Sequence, residues 1–315
     1  MSDSGFGPQP PVEPGAGQQP AGPSVCPRHP DREAYVRCQR CGRPACPECQ
    51  RPAPVGIQCV DCVREAAQAA PRARTILGGR ATDGRPIVTY SIMGLCAAVF
   101  LIQWVSIEAT RDYAFVPILG WTEPWRFVTA MFLHAPQSLL HIGFNMYALY
   151  ILGTYLEPLL GRARFLALYL ISGIGGQVAV LLFAGNPTIE GLITGADRAW
   201  ITPVVGASGA IFGLFGAMIV LNRHLNRSVA GIYTVLVINA VLGFVVAGIS
   251  WQAHLGGFLT GLASAGAIVL FRRQRVRHLT WVALGAVLAV LVLVTVGKYL
   301  TVPVDIRELN LPVRR

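Results

Sequence analysis

His141, Asn145, Ser208 and His254 are the residues of this 315-residue chain whose types and spacing could do chemistry. A serine hydroxyl is a poor nucleophile until a base takes its proton, and a neutral histidine is the usual base near neutral pH. Acyl transfer also needs donors aimed at the developing oxyanion. The candidates are the Ser208 backbone N–H, the His141 ring and the Asn145 amide. His141 and Asn145 are four residues apart and share a helix face. His254, Gly257 and Gly261 follow at i, i+3 and i+7, so the histidine lies on a small-residue face. Ser208 sits in Gly206-Ala207-Ser208-Gly209-Ala210, with Gly213 and Gly216 beyond. Small residues let membrane helices approach closely, so the segments bearing Ser208 and His254 are expected to touch. With no Asp or Glu near these residues in their segments, the expectation is a Ser–His dyad and not a triad. Taken singly, Ser208 also reads as a packing residue, and His254 and Asn145 as interhelical hydrogen-bonding groups.

The elements that must position these groups are membrane spans. The chain is 53% hydrophobic and 13% charged, with mean hydropathy +0.50, against about 25% charged for a soluble domain. From about residue 87 it reads as apolar blocks long enough to cross ~30 Å of hydrocarbon. Seven are expected, at about 87–107, 139–157, 165–184, 202–221, 229–249, 251–271 and 279–297. The fold class is therefore an all-α polytopic membrane protein. Ahead of the spans come a Pro/Gly-rich tail over 1–24, a cysteine-rich module over 25–64 and a basic linker over 65–85. The membrane domain runs over 86–299, with a short tail over 300–315. No short apolar segment with a cleavable site opens the chain, so no secretory signal peptide is expected.

Arginines and lysines set the orientation. Arg72, Arg74, Arg80 and Arg85 precede span 1; Arg162 and Arg164, Arg223 and Arg227, and Arg272, Arg273, Arg275 and Arg277 fill alternate loops. The opposite loops hold only Arg111, Arg126 and Arg198. The N-terminus is thus expected in the cytoplasm and the tail after span 7 outside, where its Lys298, Arg307, Arg314 and Arg315 are the one exception to the pattern. Much of the +10 net charge is then a topology signal, and no nucleic-acid partner is expected. Spans 2, 4 and 6 all run inward, which brings His141, Asn145, Ser208 and His254 to the outer third of the bilayer. Ser208 is expected about two turns into span 4 and His254 one turn into span 6. Polar groups are costly there, and their convergence marks a site. A transporter pathway would continue polar residues through the inner halves, which are largely apolar.

These residues resemble the rhomboid intramembrane serine proteases. The matching segments are Trp125-Arg126, His141-Ile-Gly-Phe-Asn145, Gly206-Ala207-Ser208-Gly209, and Ala253-His254-Leu-Gly-Gly257-Phe-Leu-Thr-Gly261. The resemblance covers roughly 87–271 and implies Ser208 as nucleophile and His254 as general base. It makes His141 and Asn145 oxyanion-stabilising partners, with the Ser208 amide. Trp125 and Arg126 match a loop that in the family dips into the outer leaflet, or else read as an interfacial aromatic and a snorkelling arginine. Glu157 falls where the family often has a structural glutamate. Span 7 makes the arrangement six plus one. The implied function is an intramembrane serine endopeptidase cutting transmembrane segments of other proteins within the lipid bilayer, with span 5 as gate. Its rival is a rhomboid-like protein that binds membrane clients without cutting them.

Cys26-x2-His29, Cys38-x2-Cys41, Cys46-x2-Cys49 and Cys59-x2-Cys62 give eight ligands in four pairs. Such pairs suit tetrahedral Zn²⁺, and eight ligands make two closed structural sites. Disulfides would need an oxidising compartment, and this segment is expected in the cytosol. No cofactor for catalysis is expected. The first three pairs resemble a B-box zinc finger. If that family's cross-brace carries over, Cys26, His29, Cys46 and Cys49 hold one ion and Cys38, Cys41, Cys59 and Cys62 the other; a sequential pairing is the alternative. The module reads as a docking element for a cytosolic protein partner, or as a stabilising cap. Cys96, in span 1, reads as a small buried hydrophobe.

Overall fold

A computed structural model of the chain describes residues 24–69, 74–79, 84–245, 248–272, 276 and 278–307. It divides into two compact units, Met1–Pro71 and Arg72–Arg315. The tail expected over 1–24 lies outside the described residues except for Ser24, as does 308–315 of the tail expected over 300–315.

In the first unit the cysteines dictate the fold. Three two-stranded antiparallel ribbons form: β1 (Val25–Cys26) with β2 (His29–Glu33), β3 (Val36–Arg37) with β4 (Pro44–Ala45), and β5 (Gln50–Pro52) with β6 (Ile57–Cys59). Helix α1 (Val60–Ala69) follows directly. The buried residues are Ala34, Ala45 and six cysteines, Cys26, Cys38, Cys46, Cys49, Cys59 and Cys62, with Val60 packed against them; Cys41 is exposed. So small a unit with no large apolar core needs another source of folding energy.

The second unit is helical: α2 (Ile87–Val105), α3 (Ile107–Tyr113), α4 (Arg126–Thr129), α5 (Leu139–Leu160), α6 (Arg162–Phe183), α7 (Ile189–Thr194), α8 (Ser208–His224), α9 (Ala230–Val245), α10 (Trp251–Leu270), α11 (Leu279–Leu300) and α12 (Val304–Arg307). Five of them, α2, α5, α6, α10 and α11, are long and apolar enough to cross a membrane. The fourth and fifth expected spans are represented among the described residues by shorter helices, α8 with 17 residues and α9 with 16.

The expected start of the fourth span at 202 is corrected. Helix α8 begins at Ser208, so the serine lies in its first turn and not two turns in. Pro203 disfavours helix at the residue before it. Val204 is committed to a backbone bridge with Phe115, and Gly206 adopts φ +130°, a conformation that L side chains rarely take.

Helices α6, α8 and α10 form the centre, and glycine lets their backbones meet. A Cβ on Gly257 of α10 would lie 1.9 Å from the Gly209 carbonyl oxygen of α8, and one on Gly261 2.1 Å from that of Gly213. On α6, a Cβ at Gly176 would lie 2.9 Å from the Ala253 carbonyl oxygen. Cys96 is fully buried in the surrounding apolar cluster. At the start of α2, where Pro86 offers no capping side chain, the buried Glu157 carboxylate of α5 accepts from Val88 N at 2.9 Å and from Thr89 N and Oγ1, both at 2.8 Å. A borrowed carboxylate thus satisfies amides that every helix start leaves open.

Candidate active site

The long connection from α2 to α5 is the platform of the site. Its fixed point is Arg126, a buried residue and so not the snorkelling arginine of the interfacial reading. Its guanidinium donates to the Arg111 and Ala114 carbonyls at 2.8 and 2.7 Å and pairs with Glu123. Trp125 beside it stays half exposed. Further on, the Gln103 carboxamide of α2 clamps the His134 backbone at both its carbonyl (2.8 Å) and its N–H (3.0 Å). The His134 ring is buried without a hydrogen-bond partner and meets the His141 ring edge-on at 5.2 Å. Burial pushes its pKa down to about 3, with the neighbouring His141 adding to the effect.

This platform places the turn that leads into Ser208. Phe115 and Val204 exchange backbone hydrogen bonds at 3.0 and 2.8 Å, and Gly206 N donates to the Ala130 carbonyl at 3.0 Å. Ser208 follows as the first residue of α8, preceded by Ala207, which offers no capping side chain. The first N–H groups of the helix therefore have no intrahelical partner and carry the positive end of its dipole. Anionic character near Ser208 would be stabilised there.

His141 comes from the first turn of α5, whose N-cap Ser138 accepts the His141 amide. Its Nδ1 accepts the Ala135 backbone N–H at 3.2 Å. In the neutral ring the proton must then sit on Nε2. That nitrogen points to the space beside Gly206: a Cβ there would lie 3.0 Å from His141 Nε2 and 3.7 Å from Ser208 Oγ. Asn145, one turn along and buried, donates one amide hydrogen to the His141 carbonyl at 2.8 Å, which leaves its second for another acceptor.

His254 lies in the first turn of α10. Its ring stacks on Phe212 at 4.0 Å with 9° between planes, and Phe212 is one turn beyond Ser208 on the same face of α8. Gly209 and Ala253, the next neighbours of the two residues, make one of the backbone contacts of the helix pair. Among the described residues Ser208 Oγ has no hydrogen-bond partner, so the expected Ser–His bond is not formed in this state. The flat stack on Phe212 leaves both ring nitrogens of His254 open in the ring plane, where a hydrogen bond can form. Such bonds commonly tighten only when substrate is bound.

The structure brings all four expected residues to one end of the α5–α8–α10 arrangement. The sequence reading missed Phe212, Gln103 and the Ala135 amide. Phe212 was findable from its i+4 spacing to Ser208; the others act across long sequence separations with no local signal.

In the first unit the ligand atoms of Cys26, His29, Cys46 and Cys49 lie within 4.8 Å of one another, and so do those of Cys38, Cys41, Cys59 and Cys62. Zn–S bonds of ~2.3 Å and Zn–N bonds of ~2.0 Å put tetrahedral ligands ~3.8 Å (S to S) and ~3.5 Å (S to N) apart. Here the Cys41 and Cys59 sulfurs are 3.8 Å apart, and His29 Nδ1 is 3.3 Å from Cys46 Sγ and 3.4 Å from Cys49 Sγ. The donor set fits zinc. Thiol acidities divide within each quartet. The Cys46 amide, with those of Arg28 and His29, holds Cys26 down at about 6. Burial opposes ionisation of Cys38, yet the Cys59, Cys41 and Arg40 amides bring it to about 6. Cys49 is pushed up to about 11 by burial and neighbouring sulfurs, and Cys62 to about 12 by its hydrogen bond with Cys41 and burial. Crowded thiols resist losing further protons until a dication arrives.

Comparison with known proteins agrees with both units. A rhomboid-domain family model matches residues 121–273, and a B-box zinc-finger model matches residues 22–53, ending before Cys59 and Cys62. Rhomboid protease GluP of Bacillus subtilis (strain 168) is 30% identical over 200 residues, which cover 60% of this chain and 36% of GluP. RHOMBOID-like protein 6, mitochondrial, of Arabidopsis thaliana is 35% identical over 219 residues, 61% of this chain and 64% of that protein. Putative rhomboid protease YdcA of Bacillus subtilis (strain 168) is 32% identical over 188 residues, 55% of this chain and 86% of YdcA. The chain thus spans about a third of GluP and a little under two thirds of the mitochondrial protein, but most of YdcA.

Proposed function

This chain belongs to the rhomboid family, a multi-pass membrane protein with a zinc-binding B-box module, and on that premise we propose that it is an intramembrane serine endopeptidase working through Ser208 and His254. One observation carries the reading: Ser208 opens α8 beside Gly206, facing a His141 Nε2 whose partner nitrogen is already engaged. His254 takes the Ser208 proton as Oγ bonds to the scissile carbonyl carbon of a substrate transmembrane segment. The resulting oxyanion accepts hydrogen bonds from His141 Nε2–H, the free Asn145 amide hydrogen and the Ser208 N–H. The intermediate then collapses: the C–N bond breaks, and His254 gives its proton to the leaving amine. Water, deprotonated by the same histidine, attacks the ester carbonyl; the acid product leaves and Ser208 recovers its proton.

The charge pattern supports an N-terminus in the cytoplasm, a site opening toward the extracytoplasmic side and a C-terminus outside. Seven spans follow if α8 and α9 also cross. Two structural Zn²⁺ ions would be held by the two quartets in the cross-brace pairing, and they would supply folding energy, not catalysis. The partners are transmembrane protein substrates in the bilayer and a cytosolic protein docking on the zinc module.

The test is cleavage of model transmembrane substrates in proteoliposomes by wild type and Ser208→Ala. Cleavage by wild type alone supports the reading. Wild type that binds several substrates and cuts none favours a non-proteolytic client-binding protein.

A further inference from the structure

Helix α11 buries only Thr280 and Leu284 before its last turn, yet three side chains of that turn and the segment after it are buried. Tyr299, Val302 and Ile306 are 1%, 3% and 1% exposed. They complete an apolar cluster that contains Phe115, Phe127 and Ala130 of the α2–α5 connection and Ala253, the neighbour of His254. Phe115 and Ala130 are also the two residues to which Val204 and Gly206 are hydrogen-bonded. One cluster therefore joins the end of α11, the platform under the nucleophile's turn and the helix of the base.

The polar contacts point the same way. The Tyr299 hydroxyl donates to the Pro117 carbonyl at 2.6 Å, a bond across 182 residues of sequence. It reaches that carbonyl only because residue 120 is glycine: a Cβ there would stand 2.3 Å from the Tyr299 oxygen. Gly120 has φ −67° and ψ −17°, so backbone conformation does not demand glycine and the close approach does. Trp121 and Trp200 flank the tyrosine ring at 5.7 and 6.2 Å, and Arg307 lies 5.1 Å over the Trp121 ring. Lys298 donates to the Gly185 carbonyl and, at 2.7 Å, to Asn186 Oδ1, which ties the same helix end to the loop after α6. A helix serving only as one more lipid-facing span would need none of these.

We infer that Tyr299 is a positioning residue for Ser208: through its hydroxyl on Pro117 it fixes the 115–130 platform against which the Val204–Gly206 approach to the nucleophile is hydrogen-bonded. The inference rests on Ser208 being the nucleophile, but its structural half can be read without catalysis.

The test uses the full chain in nanodiscs, as wild type, Tyr299→Phe, Gly120→Ala and the double variant. Two readouts are taken: amide hydrogen exchange in peptides covering 113–117 and 203–207, and the rate at which a fluorophosphonate labels Ser208. Tyr299→Phe keeps the ring and removes one hydrogen bond, so exchange in both peptides is expected to quicken roughly two- to ten-fold and labelling to slow by a similar factor. Gly120→Ala, which forces the hydroxyl away, should do the same. The double variant should fall short of the sum of the single ones, because the alanine methyl then meets only Phe127 Cε2 and Phe115 Cε2, at 3.1 and 3.2 Å, and no oxygen. Unchanged exchange at 203–207 in Tyr299→Phe, or strictly additive effects of the two substitutions, would overturn the inference. A lowered melting temperature with both readouts unchanged at 25 °C would overturn it too, as the mark of plain stabilisation. Wild type that takes no label while exchange responds as expected supports the positioning and refutes the protease reading.

Discussion

His141 Nδ1 accepts the Ala135 backbone N–H at 3.2 Å, and this one bond decides what the other ring nitrogen can do. The amide carries a hydrogen, so Nδ1 cannot, and the neutral ring presents Nε2–H to the space shared with Ser208 Oγ. The ring is thereby a fixed donor toward that space.

Replacing that donor should act on the transition state more than on binding. His141→Ala is expected to lower kcat about 10²- to 10³-fold with KM changed only a few-fold, as for loss of an oxyanion donor. Steady-state kinetics on a transmembrane substrate measure both. A rise in KM at unchanged kcat would assign His141 to substrate binding instead.

The backbone contact of α8 with α10 makes a second prediction. Gly257→Ala places a methyl 1.9 Å from the Gly209 carbonyl oxygen, so the helices must part. Overpacking of this kind costs about 1–3 kcal/mol, and activity should fall with the Ser208–His254 alignment. Gly266→Ala on the same helix meets nothing within 4 Å and should be neutral or stabilising by up to about 1 kcal/mol. Thermal unfolding of the two variants side by side checks the pair.

How much of this was legible in the sequence follows from which contacts are local. The i,i+4 spacing of His141 and Asn145 and the glycines after His254 carry helical faces directly, and those faces meet as the spacing implies. The start of α8 was misread because hydropathy does not see a backbone bridge: residues 202–207 are apolar enough for a span, but Val204 is held by Phe115, 89 positions earlier, and Gly206 turns the chain. The burial of Arg126 was not legible for the same reason, since its carbonyl partners belong to a loop whose path no periodicity reports. Metal-ligand spacing named all eight zinc candidates, while their grouping into quartets depends on how three ribbons fold back on one another.

The quartets make a third prediction. Purified full-length protein should carry two zinc ions per chain by elemental analysis. Cys26→Ser and Cys46→Ser should each remove the same ion and their combination no more than that, because both belong to one quartet. Loss of both ions in that combination would favour a sequential pairing. Chelation should unfold the 24–69 unit.

His134 makes a fourth. Its folded pKa of about 3 lies below the ordinary histidine value of 6.5, so the unfolded chain binds the extra proton between those limits. Its contribution to stability is whole above about pH 6.5 and is lost as pH falls toward 3, at up to about 1.4 kcal/mol per pH unit. Denaturant titrations at pH 7, 6 and 5 should show a steeper acid loss for wild type than for His134→Gln. Parallel slopes would mean the ring finds a charged-state partner.

The most direct measurement of the central claim is the site of covalent labelling. Wild type, Ser208→Ala and His254→Ala are exposed to a fluorophosphonate in proteoliposomes, and the adduct is mapped by peptide mass spectrometry. One adduct is expected, on Ser208, absent in Ser208→Ala and formed at least about 10²-fold more slowly in His254→Ala. Labelling that persists in Ser208→Ala, or that proceeds at the wild-type rate in His254→Ala, would contradict the claim.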